Sequence, residues 1–180
     1  MRELWIKVDS SLPAEEKKKL IKKTAEFTST FIVEPEDVEI ARENGAETVV
    51  SASDAGDILL VDSHEALKMA KGKGKKVCFF ISVENRGDEK EIISAAEASA
   101  DYVIAACPDW KVIPLENLIA AIHGKTRLMA LASTIEEGRT ALETLEIGVD
   151  GIVANLTDPG EIEKIYNIIK EVKTRAFEIE

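Results

Sequence analysis

An α/β fold is predicted, and within it a compact (β/α)8 barrel with a missing or shortened helix after the third strand. The alternative is an open, doubly wound parallel sheet. Three observations carry the prediction. Short apolar runs alternate with amphipathic stretches along the whole chain, the pattern of parallel βαβ units. The apolar runs are continuous, so both of their faces are covered, as in a parallel sheet. Eight such runs fit into 180 residues, the later ones recurring about every 23–25 residues, a barrel-like repeat. A barrel usually takes about 250 residues, so this one is tightly built. Against the open sheet, no glycine-rich phosphate loop follows the first strand, where Asp9-Ser10-Ser11-Leu12 stands instead.

The elements follow in order. Leu4 to Val8 is the first strand, ended by Asp9-Ser10-Ser11. Those polar residues, with Pro13 and the acids Glu15 and Glu16, read as a helix start, and the helix runs to about Phe27. Thr30 to Val33 is strand two, stopped by Pro35, and Glu36 to Asn44 is a short helix closed by Asn44-Gly45. Thr48 to Val50 and Ile58 to Val61 are strands three and four, and Ser51 to Gly56 between them is too short for a proper helix. His64 to Ala70 is a helix ended by Gly72 and Gly74, and Val77 to Val83 is strand five. Asp88 to Ser99 is a helix with Ile92, Ile93, Ala95 and Ala96 inward, and Tyr102 to Ala106 is strand six. A loop rich in unusual residues, Cys107 to Pro114, leads into a helix from Leu115 to His123, with Pro114 read as its first position. Arg127 to Ala132 is strand seven, and Ser133 or Thr134 opens a capping box for a helix to Glu146. Gly151 to Ala154 is strand eight, and Asp158-Pro159 opens a last helix to about Lys173. The barrel is therefore expected over residues 1–173. Residues 174–180 read as a tail or the start of a connection to a further domain.

Composition narrows the function classes. Apolar residues make up 45% of the chain, charged residues 32% and aromatics 5%, an ordinary globular balance poor in aromatic bulk. The formal net charge of -11 repels a phosphate backbone, so no nucleic-acid partner is expected. The basic run Lys17-Lys18-Lys19, with Lys22 and Lys23, follows Glu15 and Glu16 and reads as a solvated, i,i+4-paired helix face. No apolar stretch approaches the ~20 residues of a membrane span, and no signal-peptide pattern opens the chain, so a cytoplasmic location is expected. Cys78 and Cys107, each beside an apolar run, read as reduced thiols. With His64 and His123 not spaced near them, no metal site is expected.

In either architecture, ligands bind beyond the carboxyl ends of the strands. The polar residues placed there include Lys7 and Asp9, Glu34, Asp62, Glu84, Lys111, Ser133 and Asn155. Lysines, carboxylates, a hydroxyl and an amide at one mouth suit acid–base work on a small polar molecule. Lys7, in the last turn of a strand, also suits imine formation if its amine is desolvated. A Schiff-base lyase or aldolase is thus a second reading. Asp9, Asp62, Ser133 and Asn155 equally suit the capping of the helices that follow. A non-catalytic binding or assembly barrel is a third reading.

Three stretches carry a family resemblance: Leu4-Trp5-Ile6, Asp109-Trp110-Lys111-Val112-Ile113-Pro114-Leu115-Glu116-Asn117-Leu118-Ile119-Ala120, and Ala141 to Gly151. Together they resemble the second type of 3-dehydroquinate synthase, the archaeal, NAD-dependent type. The resemblance implies oxidative deamination of 2-amino-3,7-dideoxy-D-threo-hept-6-ulosonate with NAD, then ring closure to 3-dehydroquinate in aromatic amino-acid biosynthesis. On that reading, position assigns catalysis to Lys7, Lys111, Asp9 and Glu84. Substrate binding falls to Glu34, Asp62, Ser133 and Asn155. Residues that hold NAD are not legible. The resemblance also implies longer relatives with a β-rich domain after this one. The partners it leaves open are a covalent C-terminal domain or a further copy of the chain.

Overall fold

The computed structural model describes residues 2–106, 115–122, 124–143 and 149–179, with side-chain surroundings given for these except 86, 115–117 and 172–179. Eight strands close on themselves in chain order. They are β1 (Glu3–Lys7), β2 (Thr30–Ile32), β3 (Thr48–Ser51), β4 (Ile58–Val61), β5 (Lys76–Ser82), β6 (Tyr102–Ala106), β7 (Arg127–Ala132) and β8 (Gly151–Ala154). Each neighbouring pair is parallel, and β8 pairs with β1, which excludes the open sheet. Among the described residues the α-helices are α1 (Ala14–Thr24), α2 (Val38–Glu43), α3 (His64–Gly72), α4 (Arg86–Glu97), α5 (Leu115–Ile122), α6 (Ile135–Glu143) and α7 (Pro159–Ile179). As expected, β3 runs to β4 without a helix. The short connection is pinned instead by Arg42, whose guanidinium reaches the Asp57 carboxylate and the Ala55 carbonyl.

Strand alternation divides the apolar residues into two layers. Trp5, Ile32, Val50, Cys78, Ile104, Met129 and Val153 fill the barrel, with Phe80, Tyr102 and Leu131 packed against them. Leu4, Ile6, Phe31, Val49, Phe79 and Val103 point outward and pack under helix residues such as Ile21, Leu67, Ile92 and Ile165. Burial on both faces is why the strands read as unbroken apolar runs. In a chain so poor in aromatics, Trp5 and Tyr102 supply much of the interior bulk, with ring centroids 4.7 Å apart. The hydrogen-bonded rows climb steeply across the strands. Lys7 at the end of β1 pairs with Ile32, Ile32 with Val50, Val50 with Ile58, and Ile58 with Lys76 at the start of β5.

The amino-terminal rim repeats one device three times. Asp57, Asp101 and Asp150 each precede an even-numbered strand. Each accepts the N–H of the second residue of the strand before it: Val49 at 2.8 Å, Val77 at 2.8 Å and Leu128 at 2.7 Å. These amides sit where the ladder begins and would otherwise lack a partner. A cation accompanies two of the carboxylates, Arg42 at Asp57 and Lys71 at Asp101, each at 3.0 Å. At Asp150 the charge of Arg2 plays the same part.

The helix ends at this rim are equally regular. Gly74 and Gly124 follow α3 and α5 with φ of 75° and 83°, the left-handed residue that stops a helix. After α4 that position is Ser99, at φ 69°. Its N–H reaches the Ala96 carbonyl, and the next N–H reaches Ala95. A non-glycine residue held there costs about 1 kcal/mol.

Four sequence expectations shift. α7 continues to Ile179, past the expected end at Lys173, because Thr174 to Glu178 contains no Pro or Gly to stop it. α4 starts earlier than Asp88, since Asn85 caps it in a full capping box with Asp88. Asp9 is not the cap of α1, which starts after Pro13 without a side-chain cap. Lys17 does not lie on a solvated face: it is buried and bonds the Asp37 carboxylate at 2.8 Å. The pairs that do form in that run, Lys18 with Glu15 and Lys19 with Glu16, are spaced i,i+3 and not i,i+4. The loop 107–114, with Cys107, Trp110, Lys111 and Pro114, lies outside the described residues, as do His123 and residues 144–148.

Candidate functional site

The carboxyl ends of β1, β8 and β7 bring three of the expected site residues into one row. Trp5, Val153 and Leu131 face the barrel interior. Two residues further on, the alternation puts Lys7, Asn155 and Ser133 on the same, inner side. Register keeps them adjacent: Ile6 pairs with Ala154, Ala132 pairs with Ala154, and the Asn155 N–H bonds the Ala132 carbonyl at 2.9 Å. Asn155 Nδ2 donates to Ser133 Oγ at 3.2 Å. Lys7 is half-buried, and its amine has no hydrogen-bond or ion-pair partner among the described residues.

Asp9 lies just past Lys7. Its Oδ1 accepts the Ser11 N–H at 2.9 Å and the Ser11 hydroxyl at 2.7 Å. These two bonds hold the carboxyl below its usual range against some opposing desolvation, and the charges of Lys7 and Lys17 add to the effect. Asp9 is therefore a fixed, ionised acceptor at neutral pH. Around the remaining arc, Glu34 follows β2, Asp62 follows β4 and Glu84 follows β5, all exposed. Their carboxylates have no hydrogen-bond or ion-pair partner among the described residues.

The capping alternative resolves residue by residue. Ser63, not Asp62, caps α3, accepting the Ala66 N–H at 3.1 Å. Thr134, not Ser133, caps α6, accepting the Glu137 N–H at 3.1 Å, while Glu137 takes the Ser133 N–H. Asp158, not Asn155, serves the start of α7, accepting the Gly160 N–H at 2.9 Å. The side chains of Asp62, Ser133 and Asn155 are thus released from capping. Glu84 gives only its backbone to a helix start, its N–H bonding Asp88. Lys111 lies outside the described residues.

Sequence reasoning missed the support behind this mouth. The buried Lys17–Asp37 pair ties α1 to the turn of 3-10 helix at Pro35–Asp37, next to Glu34. It links the segments that follow β1 and β2. Lys17 shares a face with Leu20, Ile21 and Thr24, all buried, and that stripe was the available signal. His64 does not join the mouth. Its ring lies over Phe79 on the outer face of β5, and its Nε2 is 2.5 Å from Glu91 on α4.

Comparison with known proteins decides the lineage. The family model for the 3-dehydroquinate synthase II N-terminal domain matches residues 1–169. The chain belongs to this 3-dehydroquinate synthase II family. A 3-dehydroquinate synthase of Methanocaldococcus jannaschii is 37% identical over 164 residues, covering 88% of this chain and 45% of that protein. One from Methanococcus vannielii is 35% identical over 174 residues, 92% of this chain and 47% of that protein. The chain thus spans about half the length of the curated relatives it matches. Solved structures share the barrel at low identity. Orotidine 5'-phosphate decarboxylase from Pyrococcus horikoshii superposes with a TM-score of 0.70 at 14% identity, covering 93% of this chain and 99% of that one. 3-Hexulose-6-phosphate synthase from Salmonella typhimurium gives 0.69 at 17%, covering 96% and 100%. These likenesses speak for the fold alone. In this chain, the Leu4-Trp5-Ile6 stretch lies on the strand that carries both the interior Trp5 and Lys7 at its end.

Proposed function

We propose that this chain forms the substrate-handling domain of a 3-dehydroquinate synthase of the second type. The whole enzyme would convert 2-amino-3,7-dideoxy-D-threo-hept-6-ulosonate to 3-dehydroquinate by oxidative deamination and ring closure. The observation that carries this reading is the row Lys7–Asn155–Ser133 beside the fixed carboxylate of Asp9, at the catalytic end of a barrel of this family.

The chemistry assigns each group a task. The Lys7 ammonium donates to a substrate carbonyl oxygen and opposes the negative charge that builds there when the neighbouring carbon attacks. Asn155 and Ser133 add a polar edge that orients the chain of hydroxyls. Asp9, ionised, accepts from the substrate amine or takes the proton of the attacking carbon. Glu84 is a second carboxylate for that transfer, and Glu34 and Asp62 bind the cationic or hydroxylated end of the substrate. Lys111 is proposed as a second cation at the carbonyl.

NAD, when bound, would take the hydride from the carbon that carries the amine. The turn after β1 does not fit a dinucleotide. The β1–α1 turn is Asp9-Ser10-Ser11-Leu12, and Glu15 and Glu16 occupy the first turn of α1, where a pyrophosphate would need free amides and no negative charge. The NAD site is proposed to involve residues outside those described.

The test follows NADH absorbance with the amino-heptulosonate and NAD. The chain is assayed alone and joined to the remaining half of the Methanocaldococcus jannaschii relative. NADH formation by the joined protein, falling about 100-fold or more in Lys7→Ala while the fold is kept, is the expected outcome. No NADH from either form overturns the activity. Unchanged turnover in Lys7→Ala overturns the role of Lys7.

A further inference from the structure

The opposite end of the barrel holds a feature the proposed reaction does not use. A cavity of about 680 Å³ opens at the amino-terminal ends of β5, β6 and β7. Lys76, Lys125 and Arg127 line it, together with Ser99, Thr126 and Tyr102. Three cations gather here beside two carboxylates, Asp101 and Asp150, in a chain of formal net charge -11.

The two carboxylates at the cavity are each tied by one oxygen to the barrel, and Asp150 also acts on Arg127 by its charge. Asp101 Oδ2 is taken by the Val77 N–H and by Lys71, and Asp150 Oδ2 by the Leu128 N–H. Lys76 and Lys125 have no ion-pair or hydrogen-bond partner among the described residues. Arg127 gives one nitrogen to Glu3 at 2.6 Å, and a guanidinium has five N–H donors to share. The hydroxyls of Ser99 and Tyr102 also lack a partner among the described residues. The lining is therefore rich in free donors, and one oxygen of each carboxylate is already committed.

Ser99 is a second and independent sign. Among the described residues it is the one non-glycine residue at positive φ. At the equivalent helix ends Gly74 and Gly124 do the same work without strain. Strain of this kind gathers where a side chain is needed for something other than folding. What Ser has and Gly lacks is a hydroxyl, and here it borders the cavity.

We propose that this amino-terminal cavity is a binding site for a small polyanion of the phosphate class, held by Lys76, Lys125, Arg127 and the Ser99 hydroxyl. Two ammonium groups, a guanidinium edge and a hydroxyl match the charge and the oxygens of such a ligand. The site lies a full strand length from Lys7 and is independent of the reaction proposed for that end.

The test uses inorganic pyrophosphate as probe, titrated into the protein by calorimetry at low ionic strength, with sodium chloride of equal ionic strength as control. Emission of Trp5 in a Trp110→Phe background is a second readout, because the Trp5 ring packs at a tilt against Tyr102, which lines the cavity. The expected result is saturable binding of one pyrophosphate, weakened about 10-fold or more for each of Lys76→Gln and Lys125→Gln. Ser99→Gly separates binding from folding: its Tm should rise by about 2–4 °C, while its affinity for pyrophosphate falls. Absence of saturable binding overturns the proposal. So does binding that survives the Lys76→Gln/Lys125→Gln double variant, or a Ser99→Gly protein that is more stable and binds as well as before.

Discussion

Lys17 sits in a row of lysines and is nonetheless buried, with its Nζ 2.8 Å from Asp37 and side-chain exposures of 11% and 9%. A charge in that position depends on its partner. Lys17→Ala leaves a carboxylate buried without a counter-ion, and a loss of about 3–5 kcal/mol in urea unfolding is expected. Replacing both, Lys17→Met with Asp37→Leu, should recover most of that loss, because two apolar groups of similar size need no pairing. A double variant as unstable as the single one would show that the pair does more than neutralise itself. Lys17 also shows why single residues are hard to read in advance. Its neighbours Lys18 and Lys19 pair with Glu15 and Glu16 on the surface, and although the apolar stripe sets Lys17 apart, its partner appears only when Asp37 is brought across from the next βα unit. Asp62, Ser133 and Asn155 illustrate the same point at the mouth. Each is a residue type that caps helices, and only the positions of Ser63, Thr134 and Asp158 reveal that the capping is done by a neighbour.

The strands and their ends show the opposite balance. The order and type of the elements were legible, because short apolar runs bounded by turn residues and rich in β-branched side chains read as strands covered on both sides. The short β3–β4 connection was legible too, since Ser51 to Gly56 cannot make a helix. What local pattern could not show is how closely the strands approach. Gly151 opens β8 against β1 and β7. A Cβ there would stand 2.5 Å from the Glu3 carbonyl oxygen and 2.6 Å from Met129 Cε. The methionine end can move, but the backbone carbonyl cannot without disturbing the β1–β8 ladder. Gly151→Ala is therefore expected to lower stability by about 1–3 kcal/mol. Gly72→Ala, within α3 at a position with nothing within 4 Å, is the control and should leave the midpoint of chemical unfolding unchanged or slightly raised. Equal effects from the two would remove the close-approach argument.

For the molecule as a whole, the closing of the sheet is the main consequence. β1 carries no free edge, because β8 returns to it, and the first and last strands are each hydrogen-bonded on both sides. A ring of this kind has no subset of strands that is complete without the others. The barrel should therefore unfold in a single transition, with Trp fluorescence and far-UV circular dichroism coinciding in urea. Separated transitions would mean that part of the ring holds together alone. Closure also gives the molecule two unlike ends. One gathers Lys7, Asn155, Ser133 and Asp9, and the other gathers Lys76, Lys125, Arg127 and Ser99. Strand count, alternation and the family stretches are properties of consecutive residues, so they can be read along the chain. The composition of each end depends on strand parity and on the climb of the rows that pairs Lys7 with Ile32 and Ile58 with Lys76. Register is a relation between distant segments, set when two apolar layers pack on either side of one sheet. That is why the barrel could be foreseen from the chain, while the buried Lys17–Asp37 pair, the Ser133–Asn155 bond and the basic cavity emerged only once the strands were aligned.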